Sequence, residues 1–214
     1  MRSTIQVTTP PSLEPVTIPE VKSHTRIDTD ADDTLIAGYI TAARRMAEGY
    51  LGRALLPQTL TWVVRPTGDL HKDRVRIGRS PMYIPRAPVT AISSVTILDL
   101  YGNSTTVAAA TLPVVPPTPL IGYVADLSLE PALLRFGSDT PLAGGQTLGY
   151  TAIENLQVQF TAGYADASKV PANIKNAIMQ MVAYLYENRG DVFEEMPKTF
   201  EWLLDLDRLV FLGN

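Results

Sequence analysis

The chain has 214 residues, enough for one large domain or two small ones with a buried core, and its 45% hydrophobic against 19% charged residues set it apart from disordered chains. It has no cysteine and only two histidines, His24 and His71, which excludes disulfides, thiolate metal sites, iron-sulfur clusters and cysteine nucleophiles and leaves little imidazole chemistry. A net charge of −4, from 18 basic and 22 acidic residues, is too mild to point to a nucleic-acid partner by itself.

Residues 1–16 (MRSTIQVTTPPSLEPV) mix Ser, Thr and Pro without periodicity and read as an extended arm with no core to join. Nothing there resembles the apolar stretch of a secretory signal, and no run of roughly 18 apolar residues occurs anywhere, so synthesis in the cytosol and no membrane partner are expected. Thr17-Ile-Pro-Glu20 has the spacing of a capping box and predicts a short helix to about Thr25. A longer helix follows, capped by Thr29 or Asp30, with Asp32 and Asp33 in its first turn. Leu35, Ile36, Tyr39, Ile40, Ala43, Met46, Ala47, Tyr50 and Leu51 recur at threes and fours, and Thr41, Arg44, Arg45 and Glu48 occupy the expected polar face. Gly52 and Pro57 end it.

From Gln58 the period changes to two. Leu60, Trp62 and Val64 alternate with Thr59, Thr61, Val63 and Arg65, and Val75 and Ile77 alternate with Arg74, Arg76 and Arg79. Further strands are predicted at 89–98, 105–109, 123–127, 133–136 and 155–162, as a run of antiparallel hairpins with turns at Tyr101-Gly102-Asn103, at Ser128-Leu-Glu-Pro131 and in the Gly-rich residues 137–149. Residues 112–120 (LPVVPPTPL), with four prolines, read as an exposed connection. Pro171 opens a helix with Ile174, Ala177, Ile178, Met181, Val182, Leu185 and Tyr186 on its buried side, ending near Gly190. After Pro197 a last amphipathic segment places Phe200, Leu203, Leu206, Leu209 and Val210 opposite Glu201, Asp205 and Arg208.

The expected fold class is α+β, a helical core formed by N- and C-terminal helices with an inserted antiparallel β-rich unit. The chain is expected to divide into an arm (1–16), an N-terminal contribution to the helical core (17–56), the β insert (57–167), and a C-terminal contribution to the helical core that ends in a docking helix (168–214). Charge is uneven along the chain: residues 61–90 carry six basic and two acidic groups, whereas residues 91–214 carry six and thirteen. A chain with a basic middle and an acidic tail is suited to head-to-tail association.

Few constellations support chemistry. Asp28-Thr-Asp30-Ala-Asp32 begins like a calcium loop, but Asp33 stands where Gly is needed and Tyr39 where a bidentate Glu is needed, and helix capping accounts for the carboxylates. Neither histidine has a second one at ligand spacing, and no nucleophile elbow, phosphate loop or dinucleotide fingerprint is present. Glu194-Glu195 read as a solvated acidic run. No metal, no cofactor and no catalysis are therefore expected. Arg74, Arg76, Arg79 and Arg86 form a basic cluster, expected as a subunit-contact or DNA-facing patch; a nucleic-acid-binding module using it is the alternative reading.

Residues 21–44 (VKSHTRIDTDADDTLIAGYITAAR) running on to Glu48-Gly-Tyr-Leu-Gly-Arg53, then Pro85-Arg-Ala-Pro-Val-Thr-Ala-Ile92, Val95-Thr-Ile-Leu-Asp99 and Gly102, Phe160-Thr-Ala-Gly-Tyr-Ala-Asp166, Val170-Pro171 and Tyr186-Glu-Asn-Arg189 together resemble the head-tail connector (adaptor) proteins of long-tailed bacteriophages, prophages and gene transfer agents. The resemblance implies a structural virion component at the head-tail interface, made in a bacterial host. Such a protein forms a ring, usually of twelve copies, that joins the portal protein of the DNA-filled head to a tail-side connector or tail terminator protein. DNA is then cargo of the channel the ring extends. In related adaptors the carboxyl-terminal segment contacts the portal, which places that role by resemblance on Phe200, Leu203, Leu206, Leu209, Val210 and Phe211. The Pro-rich 112–120 segment and the acidic 187–207 run depart from the family's usual pattern.

Overall fold

A computed structural model describes residues 2–65, 81–110, 120–149, 153–189 and 196–209. The chain divides into two compact units, one of Met1–Pro10 with Gln58–Ala162 and one of Pro11–Pro57 with Gly163–Asn214. The α+β class expected from the sequence is borne out: four helices and two antiparallel sheets lie among the described residues.

The helical unit contains α1 (Ile18–Thr25), α2 (Asp33–Leu51), α3 (Ala172–Glu187) and α4 (Lys198–Asp205). The predicted capping box forms at α1, where the Glu20 N–H donates to the Thr17 hydroxyl and the Thr17 N–H donates to the Glu20 carboxylate at 2.6 Å. That backbone bond holds the Glu20 carboxyl below its ordinary pKa. In α2 the buried positions Ile36, Ile40, Ala43, Ala47 and Leu51 follow the helical period and meet Ile174, Ala177, Ile178 and Met181 of α3 and Phe200 and Leu204 of α4 in one core. Gly52 closes α2 at φ 68°, and its N–H donates to the Glu48 carbonyl. Past Val170, Pro171 stands at the N-cap of α3, as read from the sequence. Gly163 (φ +127°) must lack a side chain, since a Cβ there would lie 2.1 Å from the Leu56 carbonyl oxygen.

Two details of α2 differ from expectation. Its N-cap position is Asp32, not Thr29 or Asp30, and no side chain caps it. Asp32 instead accepts hydrogen bonds from the Tyr186 hydroxyl at 2.7 Å and Arg189 at 2.9 Å, which hold its carboxyl below the usual range, while Asp30 pairs with Lys22. The supposed polar face is only partly solvated: Arg45 is exposed and Thr41 half-buried. Arg44 and Glu48 are buried, because Glu14 of the segment before α1 accepts from Arg44 Nε at 2.7 Å while Arg44 Nη1 donates to Glu48 at 3.0 Å.

The other unit holds a five-stranded sheet of order β1-β2-β8-β4-β5, all neighbours antiparallel, from β1 (Arg2–Thr9), β2 (Gln58–Arg65), β4 (Val89–Asp99), β5 (Ser104–Thr106) and β8 (Ile153–Ala162). A three-stranded sheet orders β3 (Met82–Tyr83), β7 (Leu133–Phe136) and β6 (Tyr123–Asp126) as β3-β7-β6. Rows of side chains run straight across the larger sheet: Ile5, Trp62, Val158 and Val95 in one, Val7, Leu60, Phe160 and Ile92 in the next. Leu60, Trp62, Val64, Val95, Ile97, Leu156, Val158 and Phe160 make this the buried face. In the glycine-rich loop Gly137 has no alternative, because a Cβ would sit 1.6 Å from the Leu120 carbonyl oxygen.

Residues 2–9 are extended, as an arm would be, but they pair with β2 from Thr59 to Arg65 rather than standing apart from a core. Ile5 and Val7 alternate with Thr4, Gln6 and Thr8, but two apolar residues in a Ser/Thr-rich run make too short a period to read, and hydrogen bonding of an edge strand needs no more. The predicted strands are mostly found, yet they are not a chain of hairpins: among the described residues β4–β5 and β6–β7 are hairpins, β1 and β2 pair across the intervening α1 and α2, and β8 lies between β2 and β4. The 105–109 prediction shrinks to the three residues of β5 plus a bridge from Ala109 to Tyr123. The expected strand around Val75 and Ile77 and all of the 112–120 connection but Leu120 lie outside the described residues.

Candidate functional site

The terminal helix α4 follows Pro197 and presents two faces. Phe200 and Leu204 are fully buried, in the helical unit's own core, while Trp202 is 67% and Leu206 78% exposed. Leu203 and Leu209 are half-buried. Polar contacts lock the segment to α2 and α3: the Tyr50 hydroxyl donates to Asp205 at 2.6 Å, Asn173 Nδ2 donates to the Leu203 carbonyl at 2.8 Å and to Asp207 at 2.7 Å, Arg53 Nε donates to the Asp207 carbonyl at 2.7 Å, and the Leu209 N–H donates to the Leu51 carbonyl at 2.9 Å. The Arg208 guanidinium lies 4.6 Å from the centre of the Tyr50 ring. The helix is thus held in place, with an apolar pair one turn apart facing outward. Of the six residues expected at a docking surface, Phe200 belongs to the core, Leu206 is outward, Leu203 and Leu209 lie between, and Val210 and Phe211 are outside the described residues. Trp202 joins the outward face although it stands apart from the apolar stripe by threes.

Of the basic cluster, Arg74, Arg76 and Arg79 lie outside the described residues. Arg86 is described and adopts φ 71°. Glu194 and Glu195 are likewise outside. His24 lines a shallow concavity of about 220 Å³ shared with Met181, Tyr184, Glu187, Pro197 and Thr199, and among the described residues no cluster of three His, Cys, Asp or Glu could hold a metal ion. Among the described residues no helix is long and apolar enough to cross a membrane.

Two further surfaces stand out in the sheet unit. The hairpin turn between β4 and β5 is built by Asp99, whose carboxylate accepts from the Tyr101 and Asn103 N–H groups at 2.8 Å each and from Asn103 Nδ2 at 2.9 Å. Asn103 leads the interactions that keep the Asp99 carboxyl below its ordinary pKa. The turn carries Tyr101, 76% exposed, at its tip. The solvent face of the five-stranded sheet, in turn, is uncharged through its middle. Gln6, Thr61, Gln159 and Ser94 form one row, and Thr4, Val63, Gln157, Thr96 and Thr106 the next. A design rule for soluble surfaces puts charged residues at roughly 25–35% of positions, two or three on a face of this size, where this one has none. Arg2 and Arg65, paired at one end, mark its limit.

An outward-facing apolar pair on α4 and an uncharged sheet face are surfaces that these residues offer to a partner. Residues 15–103 match the family model of the phage gp6-like head-tail connector proteins, which bears out the resemblance carried by the sequence. Solved structures agree. The neck of an empty GTA particle, computed with C6 symmetry, contains a chain similar at TM-score 0.65 and 21% identity, covering 98% of this chain and 97% of that one. A chain in the virion of a native gene transfer agent (GTA) particle gives the same values. One in the neck of the native GTA particle, computed with C12 symmetry, reaches TM-score 0.62 at 22% identity, covering 100% and 98%. No curated protein matches the chain. At such identities the solved structures carry the fold, and with the family match they support a structural connector role.

Proposed function

We propose that the chain is a ring-forming head-tail connector, a non-catalytic component of a phage-like or gene-transfer-agent particle. In this reading it sits at the head-tail interface, joins the portal of the DNA-filled head to a tail-side partner and extends the DNA channel. The observation that carries the reading is the coincidence of the connector-family match over residues 15–103 with a fold shared, over nearly the whole chain, with neck components of GTA particles. The portal contact is assigned to the exposed side of α4, with Trp202 and Leu206 as its anchors and Leu203 and Leu209 at its margin. An exposed Trp is among the residue types most enriched in interface hot spots, and the exposed Leu206 extends its apolar surface by one turn. Phe200 takes part only indirectly, by holding the helix.

The test is the mass of the full chain mixed with its portal protein, read by native mass spectrometry. A multimeric complex with the portal is expected, and Leu206→Asp is expected to abolish it while the circular dichroism spectrum and melting curve stay as in the parent chain. A Leu206→Asp protein that still binds portal at parental strength removes α4 as the docking element; a parent chain that never binds portal removes the connector reading.

A further inference from the structure

Among the described residues, both sides of the five-stranded sheet keep a stretch of edge that no strand covers. No described strand lies beside β1 on the side away from β2. β4 pairs with β8 along its length, but on its other side β5 covers only Thr96, Ile97 and Leu98, and no described strand lies beside residues 89–94. Proteins that stay monomeric blunt such edges with lysine, proline, inward charges or very short strands, and with bulges, the one such device present on these two strands. β1 reads RSTIQVTT and residues 89–94 read VTAISS, so neither has Lys, Asp, Glu or Pro and the sole charge is Arg2, at the far end of β1. The apolar face also runs on to the edge without a polar rim, leaving Val7 of β1 48% exposed beside Leu60.

We propose that this sheet continues from one copy of the chain to the next, the open edge of β1 pairing with the open edge of β4, at residues 89–94, of the neighbouring copy. The inference rests on the ring reading above and supplies its subunit joint. The two edges are different surfaces on opposite sides of one sheet, so pairing them is head-to-tail, the kind of contact that propagates and closes into a ring; β1 against β1 would stop at two copies. Main-chain hydrogen bonds form the joint, and side chains offer no like-charge obstacle, because Thr4 and Gln6 would meet Thr90, Ala91 and Ser93. β4 carries bulges between Val89 and Ala91 and between Ile92 and Ser94, which supply the bend that a sheet needs in order to curve. The uncharged Thr/Gln/Ser face then extends from copy to copy as a continuous neutral band.

The chain has no cysteine, so thiols can be introduced without background. Thr4→Cys and Ser93→Cys in one full-length chain, treated with a short bis-maleimide after assembly alone or with portal protein, should give a ladder of covalently joined copies on a denaturing gel. Mixed single variants should give joined pairs and nothing larger. Guarding the edges gives an independent readout. Gln6→Lys and Ser93→Lys, each alone, should raise the concentration needed for assembly roughly tenfold or more. A mixture of the two should stop at a one-to-one pair, since each copy keeps one usable edge. Joined pairs from Thr4→Cys alone, or guarded variants that assemble like the parent, overturn the proposal. If rings still form in those cases, the connector reading stands and only its joint is wrong. A chain that stays monomeric both alone and with portal overturns the ring reading and the joint together.

Discussion

Arg44 illustrates how far a residue's role can lie from its place in a periodic pattern. Helical spacing assigns it to the polar side of α2, yet its side chain is 6% exposed, held between Glu14 and Glu48. The Thr41 hydroxyl also donates to Glu14, at 2.9 Å, and Glu48 Oε1 accepts the Leu55 N–H at 2.9 Å, so the cluster ties three stretches of the helical unit together. Glu14 lies in a proline-flanked segment without periodicity, and nothing in the sequence links it to a residue thirty positions on. Removing one member of a buried ion cluster strands its partners. Arg44→Met should therefore cost about 3–5 kcal/mol, seen as a lower urea midpoint at unchanged slope. Adding Glu14→Leu and Glu48→Gln should recover most of that, because both carboxylates are then gone and the introduced amide still offers a carbonyl oxygen to the Leu55 N–H. A loss below about 1 kcal/mol in the single variant would mean that water reaches the stranded carboxylates and that the cluster contributes little.

At the scale of elements, legibility depends on whether one face of the element is buried. α2, α3, β2, β4, β7 and β8 each place apolar residues at the period of their own backbone, and each is found close to its predicted bounds. β1 leaves only the faint mark of Ile5 and Val7, because its pairing is made mostly by main chain, and β5 is shorter than predicted because a three-residue edge strand has no period to read. In α4 the sequence offers a stripe by threes, Phe200, Leu203, Leu206 and Leu209, which drifts about 60° backward round the helix at each step. The core takes Phe200 and Leu204, a step of four, and so turns Trp202 and Leu206 outward. The two faces should separate on mutation. Leu204→Ala should lose about 2–5 kcal/mol through the cavity it leaves. Trp202→Ala should stay within about 0.5 kcal/mol of the parent and weaken portal binding instead. Thermal melts and a portal pull-down on both variants decide the matter, and a large stability loss from Trp202→Ala would put that indole in a core rather than at an interface.

The molecule as a whole pairs a helical unit assembled from both ends of the chain with a sheet unit assembled mainly from its middle. The order of helices, strands and helices is readable from periodicity, but the strand order β1-β2-β8-β4-β5 is not, because period two states which side of a strand is buried and not which strand lies beside it. Sequence charge divides along the same lines. The helical unit has fifteen acidic and ten basic residues, the sheet unit seven and eight, so the acidity of the chain resides in the unit that carries α4. The helical core cluster contains only residues of the helical unit among those described, while Leu60, Trp62, Val158 and Phe160 fill the sheet unit. Separate cores imply separate opening transitions. In hydrogen exchange followed by mass spectrometry, Leu204→Ala should speed exchange in peptides from α1, α2, α3 and α4 and leave those from β2, β4 and β8 protected. Val158→Ala, in the middle of β8, should do the reverse. Equal loss of protection in both units from either substitution would show that the chain opens as one cooperative body, and that the two cores are coupled more strongly than their residue composition requires.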